Sequence, residues 1–241
     1  KRDGDKLGFP VFPIAYNNEQ TNEVARGYKE DGYFPETVLN FLALLGWNPG
    51  TEQEIFSLQE LVEAFDLKRV NKSGARFDPD KTKWFNQQYL QTKSIEVLAN
   101  SFTEILAEKS VSITTNIEKV VGLIKERATF VSDFWGLSAF FFQAPQEYNA
   151  KASKKQWKPE TGLLMKKLCL VLDSVNDFSS SNIEAVVKKW LTENELGFGK
   201  VMPPFRLALV GAMSGPHLFD IAEVIGKEET INRIQTAIRV L

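Results

Sequence analysis

Residues 218–241, LFDIAEVIGKEETINRIQTAIRVL, decide the fold of this chain because they carry its plainest helical pattern. Apolar residues recur three or four positions apart on both sides of Gly226, which is the spacing of one face of an α-helix. The stretch therefore predicts two helices separated by Gly226. Their apolar positions are Leu218, Ile221, Ala222 and Ile225, followed by Ile231, Ile234, Ile238 and Leu241.

The same spacing recurs upstream, so that almost everything beyond residue 92 is predicted to be helical. In addition, four helices are predicted to begin at residues that favour a helix start. These are a proline in the first turn, a Ser-Glu capping box, or an Asp-Pro pair. The stripes are Ile117, Val120, Val121 and Ile124, then Leu164, Leu168, Val171 and Leu172, then Ile183, Val186, Val187 and Trp190. The starts are Phe34-Pro35, Ser57 with Glu60, Asp78-Pro79, and Ser181 with Glu184.

Two of the earlier helices have further local features. Gly46 is predicted to lie just past the end of the helix that begins at Pro35. The Ser57 box is followed by apolar residues at helical spacing, namely Leu58, Leu61, Val62 and Phe65.

Strand patterns are confined to the first 30 residues. Leu7, Phe9 and Val11 alternate with other residues, but Pro10 and Pro13 make this run an edge strand or an irregular segment. The sequence therefore predicts a mainly α protein with a mixed N-terminal segment.

The composition restricts the possible classes of protein and site. With 241 residues, 43% apolar and 25% charged, the chain has the composition of an ordinary soluble protein of one large or two small domains. Its single cysteine, Cys169, and single histidine, His217, exclude a disulfide framework and a Cys/His zinc site, so no metal site is expected. A catalytic serine or cysteine activated by histidine is not expected either, because His217 is the only histidine that could act as the base. No glycine-rich phosphate loop is found.

The distribution of apolar residues also bears on location. The longest stretch without charge, residues 134–146, is shorter than the roughly 20 residues of a membrane span. No signal peptide leads the chain, so we expect a cytoplasmic protein without a membrane partner.

Positive charge is concentrated in one part of the chain. The net charge is −2, yet residues 149–206 hold ten basic and six acidic residues, a net of +4. Trp157 lies within the densest part, where Glu160 is the only acid. Such a patch can neutralise phosphates locally; the alternative is a solvated connector and helix face. The lysines are Lys151, Lys154, Lys155, Lys158, Lys166 and Lys167.

Four motifs in order resemble bacterial glutamyl-tRNA synthetases, which are class I aminoacyl-tRNA synthetases. Residues 1–5 are similar to the tail of the signature loop of that class. The other segments are Gly32-Tyr33-Phe34-Pro35-Glu36 through residues 40–47, Phe77-Asp78-Pro79-Asp80-Lys81 with Trp84-Phe85-Asn86, and residues 204–211 with 215–221.

The resemblance implies a fold and a division of the chain. Residues 1–95 would form a helical stem-contact region, and an all-helical anticodon-binding domain would follow as two subdomains, residues 96–157 and 158–241. The catalytic nucleotide-binding domain, which uses ATP to attach glutamate to its tRNA, would lie upstream. Lys1 and Arg2 would be the remnant of the loop that stabilises the ATP phosphates, and the chain alone is expected to be inactive.

The resemblance also implies where tRNA binds. Arg127 corresponds to the position that reads the first anticodon base, and a guanidinium suits this role because it can donate two hydrogen bonds and stack. On an unbroken helix Arg127 would extend the stripe that ends at Ile124, so it either marks the end of that stripe or faces a groove. The other anticodon-binding residues would be Arg206, Gly215, Pro216 and Leu218. The tRNA backbone would meet Lys151, Lys154, Lys155 and Lys158.

Two functions therefore remain open. The first is the tRNA-binding part of a monomeric glutamate–tRNA ligase, with the tRNA for glutamate as partner and with ATP and glutamate bound through the missing domain. The second is a helical protein-interaction module without affinity for RNA, which the acidic isoelectric point of about 5.7 permits.

Overall fold

A computed structural model describes Gly4, residues 9–71 and residues 77–241. Within these residues there are twelve α-helices and one small sheet, which confirms the prediction of a mainly α protein. The helices are α1 (Pro35–Gly46), α2 (Leu58–Ala64), α3 (Pro79–Thr92), α4 (Ile95–Glu108), α5 (Ile117–Ile124), α6 (Asp133–Phe142), α7 (Ala150–Gln156), α8 (Thr161–Asp173), α9 (Ser180–Glu193), α10 (Phe198–Val210), α11 (Leu218–Ile225) and α12 (Lys227–Val240).

The chain divides into two compact units. Unit 1 comprises Lys1–Ser101 and Lys125–Phe134, and unit 2 comprises Phe102–Ile124 and Trp135–Leu241. The division into functional regions at residues 95/96 and 157/158 stays a prediction.

The sheet of unit 1 is an antiparallel pair, β1 (Tyr16–Asn18) and β2 (Glu23–Ala25). The alternating run before it is not a strand: Phe9 and Val11 are irregular, as the two prolines indicated, and Leu7 lies outside the described residues. Phe9 instead packs edge-on against Tyr28, at 5.3 Å between ring centroids, within a buried aromatic cluster. Burial, with the nearby Tyr33, raises the pKa of Tyr28 to about 12.

Three of the four predicted helix starts in the sequence lie in unit 1, and all three are confirmed. Pro35 occupies the first turn of α1. The Ser57 capping box is complete, with the Glu60 amide donating to Ser57 Oγ and the Ser57 amide to Glu60 Oε2. Asp78 accepts hydrogen bonds from two backbone amides at the start of α3.

The predicted end of α1 is wrong by one position. Gly46 is the last residue of the helix, and the extended Trp47 ends it. The reason is a backbone pairing with a distant segment: Trp47 forms a β-bridge with Val70, and the Asn71 amide donates to the Gly46 carbonyl at 2.8 Å.

Buried polar side chains join the segments of unit 1. Asn86 Oδ1 on α3 accepts from the Phe34 amide and from Thr37 Oγ1, both at 2.9 Å, and Asn86 Nδ2 donates to the Thr129 carbonyl at 2.7 Å. Asn40 on α1 similarly bonds the backbone at Glu54 and Phe56. These asparagines, which belong to the quoted motifs, therefore hold the start of α1, the 54–56 loop, α3 and residue 129 together.

The apolar stripe of α2 is mostly uncovered in the described structure. Leu61 is buried, whereas Leu58 and Val62 are exposed, Val62 at 71%. Helical spacing thus predicted the element but not which of its apolar residues would be covered.

Unit 2 is a helical assembly around an apolar core. Helix α12 packs on α8 and α10, and α9 packs on α11. Gly226 separates α11 from α12 with φ +84°, as the opening stretch predicted. The largest fully buried side chains include Met165, Leu168, Leu172, Phe205 and Phe219.

The predicted capping box at Ser181 and Glu184 is wrong. Helix α9 begins at Ser180, whose hydroxyl donates to Asp220 Oδ1 on α11 at 2.6 Å. Glu184 pairs instead with Lys188, at 2.7 Å. A tertiary contact to α11 therefore fixes this helix start in place of the local cap.

Candidate nucleic-acid interface

The lysine-rich segment forms helix α7 and the beginning of α8. The Asn149 side chain caps α7 by accepting from the Ala152 amide, and Trp157 ends this helix. Ala152 is buried, whereas six lysines of the segment are exposed: Lys151, Lys154, Lys155, Lys158, Lys166 and Lys167.

None of these six lysines takes part in an ion pair within the described parts of the chain. Lys158 Nζ donates to the Lys154 carbonyl at 3.1 Å, near the end of α7. By contrast, Lys188 and Lys189 on α9 each lie close to a glutamate one turn away. The segment therefore keeps its positive charge available to a ligand.

Part of the cluster lines a groove of about 340 Å³, which we call the lysine groove. Its basic residues are Lys155, Lys158, Lys167 and Lys200, and Glu160 is its acidic residue. Leu163, Leu164 and Leu196 add apolar surface. Lys200 comes from the first turn of α10, and no local pattern in the sequence links it to the cluster around Lys155.

Trp157 is half-buried, and its amide donates to the Ser153 carbonyl at 2.9 Å. It is not among the residues that line the lysine groove. The ring that the sequence places among the lysines is therefore partly engaged in the fold.

Arg127 lies in unit 1, in a 3-10 turn (Lys125–Arg127) directly after α5. The helix ends at Ile124, so Arg127 does not extend the apolar stripe, and its side chain is exposed. Lys125, in the same turn, donates from Nζ to the Lys93 carbonyl at 2.6 Å. This anchored turn leaves the Arg127 guanidinium facing outward, which favours the first of the two structural alternatives for this residue.

Arg206 lies in unit 2, on α10, and its guanidinium contacts the loop between α10 and α11. Its Nη1 donates to the Ser214 carbonyl at 3.2 Å. Gly215 has φ +111°, and a Cβ placed on it would lie 3.5 Å from Arg206 Nη1 and 3.3 Å from Phe140 Cζ. Glycine therefore suits the backbone conformation and avoids a tight contact with the Phe140 ring.

Pro216 and Leu218, the other two predicted anticodon-binding residues, are buried. The structure brings Arg206, Gly215, Pro216 and Leu218 to one helix–loop–helix segment of unit 2. Because the two apolar side chains are covered, they shape this segment and do not present a free stacking surface.

His217 is the N-cap of α11, and its side chain is half-exposed. Its Nδ1 lies 3.9 Å from Asp220 Oδ1, and its ring contacts Phe219 edge-on. Nearby, the hydrogen bond from Lys119 at 2.6 Å lowers the pKa of Glu223. The two carboxylates on this side of α11, Asp220 and Glu223, thus have partners within the protein.

The remaining sequence expectations concern groups that the site does not use. Burial raises the pKa of the Cys169 thiol to about 11, which keeps it protonated at neutral pH. The described residues contain no group of three or more His, Cys, Asp or Glu side chains placed to hold a metal ion. No helix among them is long and apolar enough to span a membrane. Lys1 and Arg2 lie outside the described residues.

Family models match two parts of the chain. Residues 84–238 match a model described as an anticodon binding domain, and residues 18–84 match one described as the catalytic domain of class I tRNA synthetases (E and Q). A short part of that catalytic domain therefore lies within the region that the resemblance assigned to stem contact.

Individual relatives extend the likeness over the whole chain. Glutamate–tRNA ligases of Flavobacterium johnsoniae and Christiangramia forsetii are 62% and 52% identical over 100% of this chain and 48% of their own length. The crystal structure of a glutamate tRNA ligase from Elizabethkingia meningosepticum, in complex with its amino acid, superposes with a TM-score of 0.95 at 48% identity. The superposition covers 100% of this chain and 48% of the chain of that structure.

This chain thus spans about half the length of the relatives it matches. The resemblance drawn from the four motifs is confirmed. A domain model matches more than half of the residues of this chain, and its relatives align with all of them. The chain therefore belongs to the anticodon-binding-domain family of the glutamate–tRNA ligases.

Proposed function

We propose that this chain is the tRNA-recognition part of a glutamate–tRNA ligase and binds the tRNA for glutamate. The observation that carries the proposal is the anticodon-binding-domain match over residues 84–238. This range also contains Arg127, Arg206 and the six lysines that form no ion pair with the described residues. Single-stranded loops such as the anticodon are the parts of RNA that proteins read in sequence-specific fashion.

Arg127 and Arg206 are the proposed readers of anticodon bases. The exposed Arg127 can turn its planar guanidinium onto an unstacked base or donate two hydrogen bonds to its edge. The hydrogen bond from Lys125 Nζ to the Lys93 carbonyl anchors the turn that carries Arg127. Arg206 is held against the loop at Ser214, so it is partly oriented before RNA arrives, which reduces the entropy lost on binding.

Gly215, Pro216 and Leu218 have a positioning role in this proposal. Gly215 adopts the positive φ of the loop before α11, and the buried Pro216 and Leu218 fix the start of α11. The first turn of a helix has backbone amides without intrahelical partners, and these can donate to base edges or phosphates.

The lysines have a different role, because contacts to phosphates position RNA whereas contacts to bases discriminate it. Lys151, Lys154, Lys155 and Lys158 are proposed to contact the backbone of the tRNA. The stem would meet residues 1–95, and the anticodon would meet the two subdomains at residues 96–157 and 158–241.

The catalytic step belongs to the remaining half of the ligase in this proposal. ATP and glutamate would bind there as substrates, with Lys1 and Arg2 contributing to the loop that meets the ATP phosphates. The whole ligase would act as a monomer in the cytoplasm, and this chain alone would not activate glutamate.

Equilibrium binding to tRNA tests the proposal. We expect the chain to bind the glutamate tRNA about ten- to a hundredfold more tightly than the same tRNA with its anticodon replaced, since good bidentate base contacts are worth about 1–3 kcal/mol. Filter binding or a mobility shift measures both constants. If no tRNA binds, the helical protein-interaction module without RNA affinity is the better description.

A further inference from the structure

We propose that the lysine groove is a defined seat for a phosphodiester strand of the bound tRNA, with Lys167 and Lys200 as phosphate contacts beside Lys155 and Lys158. The inference rests on the proposed tRNA-binding function. It adds Lys167 on α8 and Lys200 on α10 to the proposed phosphate contacts. It also replaces a diffuse charged surface with a groove of defined lining.

The charge of the groove determines what it can accept. Four lysines and one glutamate line it, a local net charge of +3 in a chain whose net charge is −2. Exposed charges are screened beyond about 8–10 Å at physiological salt, so the acidic remainder of the chain does not cancel this field at short range. The groove therefore favours an anion with several negative groups.

Helix α7 carries a like-charged pair of lysines, Lys151 and Lys155, four positions apart. Such a pair destabilises a helix by about 0.2–0.5 kcal/mol. No carboxylate among the described residues pairs with them. Bound phosphates would relieve this repulsion.

The lining and size favour a nucleic-acid strand. Leu163, Leu164 and Leu196 provide apolar surface between the charged groups, which suits the sugar faces between successive phosphates. A volume of about 340 Å³ lies at the lower end of the range for ligand sites, about 300–1,000 Å³, and holds a short piece of a strand. Lys155 belongs to α7 and Lys200 to α10, so a strand in the groove would contact both helices.

A matched pair of neighbouring lysines tests the inference. Lys166 and Lys167 are both exposed on α8, but only Lys167 lines the groove. Lys167→Gln, Lys166→Gln and the double variant Lys167→Gln/Lys200→Gln are compared with the unaltered chain for binding of glutamate tRNA between 50 and 200 mM salt.

The expected results follow from counterion release. Each phosphate contact contributes about 0.7–0.9 to the slope of log K against log salt concentration, which corresponds to about five- to eightfold in affinity at 0.1 M salt. Lys167→Gln should reduce the slope by about that amount, and the double variant by about twice as much, equally for cognate and anticodon-swapped tRNA. Lys166→Gln should change affinity by less than about twofold.

Three outcomes are decisive. Equal effects of Lys166→Gln and Lys167→Gln would overturn the groove and leave a diffuse patch. An unchanged slope in the double variant would overturn it as well. Failure of the unaltered chain to bind any tRNA would overturn the proposed function together with the groove. This outcome is distinguishable from failure of the groove alone, because it is seen without any variant. Thermal melts confirm that each variant is folded.

Discussion

In each unit a buried polar side chain joins several segments, but the two side chains differ in charge. In unit 1 it is the neutral amide of Asn86, which bonds the start of α1 and the Thr129 carbonyl. In unit 2 it is the guanidinium of Arg233 on α12, only 4% exposed. Arg233 Nη1 donates to the carbonyls of Phe140 and Leu209 at 2.6 and 2.9 Å, and Nε donates to Glu229.

The difference follows from what each side chain must satisfy. Asn86 faces both donors and an acceptor, which an amide can match because it carries both kinds of group. Arg233 faces carbonyls in the last turns of α6 and α10, where helix dipoles place partial negative charge, so a cation is favoured there.

Burial also distinguishes three arginines of this chain. Arg233 is buried and fully engaged, Arg206 is half-buried and touches a loop, and Arg127 is exposed. The residue type is the same in all three, so burial separates the structural arginine from the two candidate readers of RNA.

The largest effect is expected from Arg233→Ala. Removing the guanidinium leaves two buried carbonyls without a partner and creates a cavity, so the free energy of unfolding should fall by about 3–5 kcal/mol. Urea denaturation measures this loss, and Arg239→Ala, an exposed arginine on the same helix, should stay within about 0.5 kcal/mol. Similar values for both variants would show that Arg233 does not join the helices as described.

A smaller loss is expected from Asn86→Ala, which leaves the Phe34 amide, the Thr37 hydroxyl and the Thr129 carbonyl without this partner. At about 1 kcal/mol for each unsatisfied group, the free energy of unfolding should fall by about 2–3 kcal/mol. Hydrogen exchange should lose protection in α3 while α8 keeps it. Asn17→Ala, at an exposed asparagine, serves as the control, and an equal loss in both helices would contradict the separate role of Asn86 in unit 1.

Most helices could be predicted from the sequence because their signals are local. The caps at Ser57 and Asp78 act within three residues, and apolar spacing marks the helices of unit 2. The errors arise where a distant segment decides: Asn71 at the end of α1, and Asp220 at the start of α9. The uncovered stripe of α2 is a third case, since spacing does not state what lies opposite a helix.

The candidate site was predictable only in part. The run from Lys151 to Lys167 indicated a basic surface, because a dense run of lysines with Glu160 as its only acid stays exposed. The sequence did not indicate that Lys200 joins Lys155 and Lys167, since that grouping depends on how α8 and α10 pack. It also did not indicate that Pro216 would be buried, because a proline before a helix start fits either environment.

The central claim is that this chain discriminates tRNAs through arginine contacts to anticodon bases, and one measurement tests it most directly. Dissociation constants are determined for glutamate tRNA and its anticodon-swapped form with the unaltered chain, Arg127→Ala, Arg206→Ala and the backbone control Lys154→Gln. Each arginine variant should lose a large part of the ratio of about ten- to a hundredfold expected for the unaltered chain, whereas Lys154→Gln should weaken both tRNAs alike and preserve the ratio. If both arginine variants stay folded and keep the full ratio, the anticodon is read elsewhere and the assignment of these arginines is wrong.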